Sequence, residues 1–483
     1  MTQTNSILLS LLLCTLITVP VLSSEEVKLV VELTRHGSRT PVVINSKEDW
    51  TKGMEKGDMT PLGHRQHFLL GREMAKQYPT IFTGRKLMGD EYYVRSSHFQ
   101  RTYTSAVSHL MGLWNHFESY ELEFPNGDDR IESPAVTYNT RDKDFKTPLE
   151  NGLIVSPIHT ETQDEDDMLF LIGSKQCPYG VNNSSKIRKD FAASVSELDS
   201  LVTLTNSVAE TYGITKPASL SNMFDFCSDI ADFASQDVLN NPYPKISPSD
   251  ERYKKLMRCY EVNVMAKYQD KKVRQAVISN LMDNILTKMD VKAKSEETNN
   301  LKYLLFSAHD STLSPILIEA GALDLNCFIN DIKKGTASDC KNFPNVASNI
   351  VFELIYFEEE YYARMRFNFE NIDFCGLKNE AQGFRCPFKT FKQKWDSLLD
   401  KDWRTYCGTP PPPQPTPYPD QKKEDTNASK ATVNSNHKTL AILLISVNIL
   451  AVIFGVVAWI AYATTMSKRK RSIKSNYMSG IQS

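Results

Sequence analysis

The chain has almost no net charge of either sign. Its 56 Lys and Arg against 58 Asp and Glu leave −2 over 483 residues, with acids and bases interspersed. That balance gives no reason to expect a nucleic-acid partner, which would call for a basic face. Close C-x-x-C pairs and His/Cys clusters are missing, so the nine cysteines do not read as metal ligands. Internal repeats are missing too. Strand signals are few between about 147 and 296, where Leu198–Val208 and Val273–Met289 carry apolar residues at helical spacing.

What is present is concentrated at Arg35-His36-Gly37-Ser38-Arg39-Thr40-Pro41, directly after the apolar stretch Val27–Leu33. A histidine sits between two arginines at the end of an expected strand, with a glycine that lets the backbone turn and approach a ligand. Two guanidiniums at this spacing suit a phosphate, and the imidazole between them can attack phosphorus or move a proton. The competing reading of a bare Arg-His-Gly is a basic surface loop with a solvated histidine.

Three further segments extend the pattern. Leu301–Leu313 reads as a buried strand ending in His309-Asp310; Val94–Thr102 carries Arg95 after a strand and Arg101 six residues later; and Thr60, Gly63, Gln66, Leu70 and Gly71 fit T-x-x-G-x-x-Q-x-x-x-L-G. Together these resemble the histidine acid phosphatases, branch 2 of the histidine phosphatase superfamily. His98 and Gln100 stand where that family more often has acids. The resemblance implies an α/β fold: a mostly parallel central sheet flanked by helices, phosphoglycerate mutase-like, with an inserted α-helical cap domain. It also implies His36 as nucleophile, Asp310 as proton donor, and Arg35, Arg39, Arg95 and His309 as the phosphate-binding set. No cofactor or metal is needed, because the arginines supply the charge. Ser307 and Thr312 are expected to orient the His-Asp corner, and His159 to lie near the pocket. His64, His67 and His98 are expected to be structural or solvated.

Residues 1–23, with the apolar run Ile7–Leu22 and Val21-Leu22-Ser23 at its end, read as a secretory signal peptide without a basic n-region; an uncleaved anchor is the alternative. At about 1.5 Å per residue the apolar run Leu440–Ala463 covers roughly 36 Å, enough for a hydrocarbon core of about 30 Å. Lys468-Arg469-Lys470-Arg471 follows it, so residues 464–483 are expected in the cytosol, and the bulk of a single-pass type I chain is lumenal or extracellular. Residues 408–438 form a Pro-rich stalk, extended at about 3.1 Å per residue. The rest divides into core 25–146, helical cap 147–296 and core 297–407. Tyr477-Met478-Ser479-Gly480 puts glycine where a tyrosine-based endocytic signal needs a bulky apolar residue, so endolysosome and cell surface both stay open.

Cys14 leaves with the signal. The remaining eight imply disulfides, with on the order of 100 ways to pair. The resemblance implies Cys177–Cys407, Cys227–Cys327 and Cys375–Cys386, with Cys259–Cys340 as an extra pair. Asn182, Asn183 and Asn427 begin N-x-S glycosylation triplets. The expected activity is hydrolysis of small-molecule or protein phosphate monoesters. A homodimer would fit the family. Rival readings are a phytase-like inositol polyphosphate phosphatase, a phosphoglycerate-mutase-like transferase and an inactive membrane-anchored binding ectodomain.

Overall fold

The computed structural model describes residues 25–408 apart from 44–47, 83–86, 88, 115–154, 174, 194–197, 215–222 and 377–382. The expected signal peptide, most of the stalk, the membrane span, the basic tail and Asn427 lie outside the described residues. No described helix is long and apolar enough to cross a membrane.

Strand β1 (Glu26–Arg35) is buried on both faces from Leu29 onward, as its unbroken apolar run requires. It sits in the middle of the sheet, parallel to β4 (Tyr303–Ala308) on one side and antiparallel to β5 (Asn349–Phe357) on the other. Beyond β4, β2 (Tyr92–Ser96) and the short β3 (His159–Thr160) continue the parallel half. Beyond β5, β6 (Glu360–Phe367) pairs with β7 (Glu370–Ile372) and β8 (Cys386–Pro387) in an antiparallel half. The sheet is therefore mixed, with its parallel strands central. The antiparallel half follows from local connections. Glu358-Glu359 and Asn368-Phe369 all hold positive φ, the backbone of two-residue hairpin turns, whereas parallel neighbours need long crossovers.

One sheet face, through Val30, Leu305 and Val351, packs on α1 (Pro61–Gln77), α2 (Pro79–Phe82) and α3 (Gln100–Leu113). Leu29, Val31, Leu33, Phe306 and Phe352 turn to the other face. There they meet α8 (Lys271–Lys294), α9 (Asp310–Glu319) and α11 (Phe388–Leu398), which follows β8. Between β3 and β4 the longer described elements are α4 (Pro178–Ala193), α5 (Leu198–Thr211), α6 (Met223–Asn240), α7 (Glu251–Met265) and α8, with no strand among them. Their apolar residues are continuous with this second face.

The alternation that sends Val30 and Val31 to opposite faces also sets the register at the strand ends. Arg35 lies beside Ala308, and Ser96 beside Ser307. Parallel pairing thus brings the segments after β1, β2 and β4 to one edge of the sheet, where open α/β sheets bind ligands. The helix motif serves the same edge. Thr60 caps α1 by accepting from the Gly63 N–H, and Gln66 Oε1 accepts from Ser38 N at 2.8 Å. A Cβ on Gly63 would stand 2.1 Å from Ser38 O, and one on Gly71 2.0 Å from His109 O, so neither position admits a side chain.

Two of the four expected disulfides are corrected. Cys177–Cys407 and Cys375–Cys386 are bridged, but Cys227 joins Cys259 and Cys327 joins Cys340. Cys227 and Cys259 face each other across the packed pair α6 and α7, Cα atoms 6.0 Å apart. Cys327, on α10 (Leu325–Lys334), meets Cys340 in the loop that follows, at 5.8 Å. Both spacings lie in the bridging range of about 4.4–6.8 Å.

Candidate active site

At this edge His36 is 3% exposed, and its Nδ1 donates to the Gly37 carbonyl at 2.8 Å. A carbonyl can only accept, so the proton is on Nδ1 and Nε2 carries the lone pair. Burial, then the charges of Arg101, Arg35 and Arg39, hold the imidazole well below the usual histidine range. A neutral ring with a free Nε2 is a nucleophile even in acid.

Arg39 is locked by Asp232 of α6, with Nη2 to Oδ1 at 2.8 Å and Nη1 to Oδ2 at 3.0 Å. Gln236, one turn along α6, accepts from Arg39 N and Ser38 Oγ, and Asn240 a turn further donates to Ser38 Oγ. Arg35 donates from Nη1 to Pro344 O and from Nη2 to the Tyr260 hydroxyl, and Nη2 forms an ion pair with the Asp310 carboxylate.

Arg101, on the first turn of α3, stacks over Phe99 with its guanidinium 4.3 Å from the ring centroid. Burial, then the neighbouring charge of Arg39, lowers it to about 10. The Nε groups of Arg35, Arg39 and Arg101 are all buried without a partner. Three such donors around one histidine are costly unless an anion receives them.

Arg95 does not join this group. Its guanidinium donates to Asp166 at 3.1 Å, and the largest charges acting on His36 and His309 include those of Arg101, Arg35 and Arg39 instead. The expected third arginine is thus corrected to Arg101. β2 ends at Ser96, before the motif does, and the next turn of chain carries Arg101 rather than Arg95 to the edge.

His309 stands 5.6 Å from His36, ring centroid to centroid. Thr102 Oγ1 donates its proton to carbonyls, so Ser97 Oγ donates to Thr102 and accepts from His309 Nε2 at 2.8 Å. Nδ1 is then the unprotonated nitrogen of the neutral ring. Burial, then Arg101, hold His309 well below its ordinary range as well. Asp310 begins α9. Burial alone would raise it, but Arg35, the Tyr260 hydrogen bond, His309 and Arg39 outweigh that and hold it below the ordinary carboxylate range.

The structure brings His36, Arg35, Arg39, His309 and Asp310 together. Ser307 donates to Thr102 O and Thr312 to Leu169 O, each fixing a neighbouring segment. His159 is exposed and stacks on Tyr93. His64 bonds Ser108, His67 bonds the Arg35 carbonyl, and His98 is exposed. Among the described residues no group of three or more His, Cys, Asp or Glu could hold a metal ion.

Residues 26–368 match the histidine phosphatase superfamily, branch 2. The chain belongs to that family. Among its relatives, the lysosomal acid phosphatase of Xenopus laevis is 26% identical over 413 residues, 81% of each chain. The prostatic acid phosphatase of Bos taurus is 24% identical over 426 residues, 84% of this chain and 95% of that one. The Klebsiella sp. ASR1 phytase superposes with a TM-score of 0.53 at 16% identity, covering 80% of this chain and 98% of that one. The Hafnia alvei phytase bound to tartrate gives 0.54 at 14%, covering 78% and 98%. These two likenesses show a shared fold.

Asp232 and Tyr260 were not foreseen. A signal for the first existed: Asp232, Gln236 and Asn240 recur every fourth residue along one stripe of α6. None existed for Tyr260, one of two tyrosines in a charged helix.

Proposed function

We propose that this histidine phosphatase superfamily member is an acid phosphatase, hydrolysing phosphate monoesters through a phosphohistidine. The observation that carries this is His36 itself, its Nδ1 proton tied to the Gly37 carbonyl and its ring ringed by three arginines. Arg35, Arg39 and Arg101 hold the phosphoryl oxygens, and their positive charge stabilises the loosening transition state. His36 Nε2 attacks phosphorus in line as the P–O bond breaks, and the leaving oxygen takes the electron pair. Asp310 gives that oxygen its proton. Water then attacks phosphorus as Asp310 takes its proton, the P–N bond breaks with its electron pair returning to His36 Nε2, and inorganic phosphate is released.

The two pKa directions set the pH range. Asp310 must be protonated, and the free site disfavours this; a phosphate dianion beside the carboxyl shifts it upward. His36 must be unprotonated, and its depressed pKa keeps it so in acid. Activity therefore peaks on the acid side. The helical segment 147–296 acts as the cap, since α6 and α7 carry Asp232 and Tyr260 to the sheet edge. The relatives named lysosomal and prostatic acid phosphatases, together with the apolar run 440–463, support an anchored enzyme facing the endolysosomal lumen or the cell exterior.

The test is hydrolysis of p-nitrophenyl phosphate by the full-length chain from pH 4 to 8 without added metal, as wild type and His36→Ala. Acid-side activity lost in the variant is expected. A folded wild-type protein inert across that range would sink the phosphatase reading and favour a binding role.

A further inference from the structure

Tyr260 has no counterpart in the motifs that define the site, yet it touches two of the site's charged groups. Its hydroxyl accepts from Arg35 Nη2 at 2.7 Å and donates to Asp310 Oδ2 at 2.7 Å. Arg35 Nη2 and Asp310 Oδ2 are themselves 2.7 Å apart. Three polar atoms thus form a closed triangle. Nη2 donates to the phenol and pairs with the carboxylate through charge, and the phenol proton goes to the carboxylate. The ring packs edge to face against Phe343, centroids 6.1 Å apart. Burial, outweighing the attraction of Arg35, raises the phenol above its ordinary range, so it stays a donor throughout the acid range.

We propose that Tyr260 is a positioning residue for the reaction proposed above: its hydroxyl fixes the orientation and the protonation point of the general acid Asp310. Once a phosphate dianion draws Arg35 Nη2 to itself, the phenol is the donor left on Oδ2. The carboxylate is then released from one of its two stabilising contacts and can take a proton, while the other keeps the oxygen aimed. Other groups act on Asp310 too. His309 adjoins it on its own element; Arg39 reaches it from the loop after β1; Arg101 reaches it from α3; and the buried Tyr268 acts from the turn after α7. Asp232 acts mainly by neutralising Arg39. Among the described residues the hydrogen bond to Oδ2 comes from Tyr260, and Arg35 adds an ion pair.

The sign follows. A hydrogen bond to the ionised carboxylate lowers its pKa, so removing it raises the pKa and extends the protonated acid to higher pH. The experiment is the pH dependence of kcat for the full-length chain with Tyr260→Phe. The alkaline limb should move up by roughly one pH unit, the size expected for one hydrogen bond to a charged group. The acid limb, set by His36, should stay where it is. Tyr260→Leu also deletes the hydroxyl, and serves if the Phe variant is not recovered. In an Asp310→Asn background the Phe substitution should leave the profile unchanged. A hydroxyl that only satisfies its own burial would alter thermal stability without moving the limb. An alkaline limb that moves by less than about 0.2 unit, with wild type active, overturns the inference. An inactive wild type would instead overturn the phosphatase reading on which it rests.

Discussion

Replacing Asp232 by alanine should strip a buried arginine of its counter-charge. Asp232 receives Nη2 of Arg39 at 2.8 Å, Nη1 at 3.0 Å and the Val42 backbone N–H at 3.2 Å. The two side chains are 5% and 6% exposed, so water cannot take the place of the lost carboxylate. Breaking a buried pair by removing one partner costs about 3–5 kcal/mol, because the remaining charge is left uncompensated. Against a typical domain stability of about 5–15 kcal/mol this is a large fraction, and the variant should unfold at much lower urea. Phosphate offers a second reading of the same charge. Ligand at a hundred times its Kd stabilises a protein by about 2.7 kcal/mol. The variant should gain at least what wild type gains from inorganic phosphate, since the anion replaces the missing negative charge. The assay is urea unfolding followed by tryptophan fluorescence, with and without phosphate. Asp232→Asn, which keeps the outline but not the charge, should fall in between. A loss below about 1 kcal/mol, the worth of an exposed ion pair, would refute the reasoning.

Two further outcomes follow from the site. Arg101→Gln should lower kcat/KM by about 10²–10³-fold, as does loss of a donor aimed at developing charge. Arg95→Gln should change it by less than about 5-fold, equivalent to roughly 1 kcal/mol, and act on stability through Asp166; the reverse ranking in steady-state kinetics would restore Arg95 as the phosphate ligand. Stability should also fall in acid. Burial, then His109, holds His67 down to about 3, and burial holds His36 and His309 below their unfolded values. Below the unfolded value of about 6.5 the unfolded chain binds more protons than the folded one, so stability drops as pH falls until the folded pKa is reached. His67→Gln keeps a donor for the Arg35 carbonyl but cannot titrate. It should reduce the slope of unfolding free energy between pH 4 and 6 by about 1.4 kcal/mol per pH unit, and an unchanged slope would exclude His67 as a contributor.

Much of this was legible beforehand because it is local. Apolar runs placed β1 and β4 within a few residues, and helical spacing placed α5 and α8. Arg-His-Gly and His-Asp each stand at a strand end, so their chemistry could be read without knowing how the strands pair. The three shortest strands, of two or three residues, carry too little pattern to be found. Which strands run antiparallel was not legible, because the signal is a backbone conformation at Glu358-Glu359 and Asn368-Phe369.

By itself the sequence determined which residue types could react, how many positive charges surround them and where the strands stop. Tertiary structure decided which of two arginines six residues apart faces the histidine. It also decided which cysteines meet, and that Asp232 and Tyr260 reach the site from a segment some 200 residues away in sequence. The reason is geometric. A strand end or a helix start is written in consecutive residues, but a hydrogen bond between β1 and α7 depends on how the sheet and the helices pack. That packing is fixed by the whole apolar core rather than by the residues that make the contact.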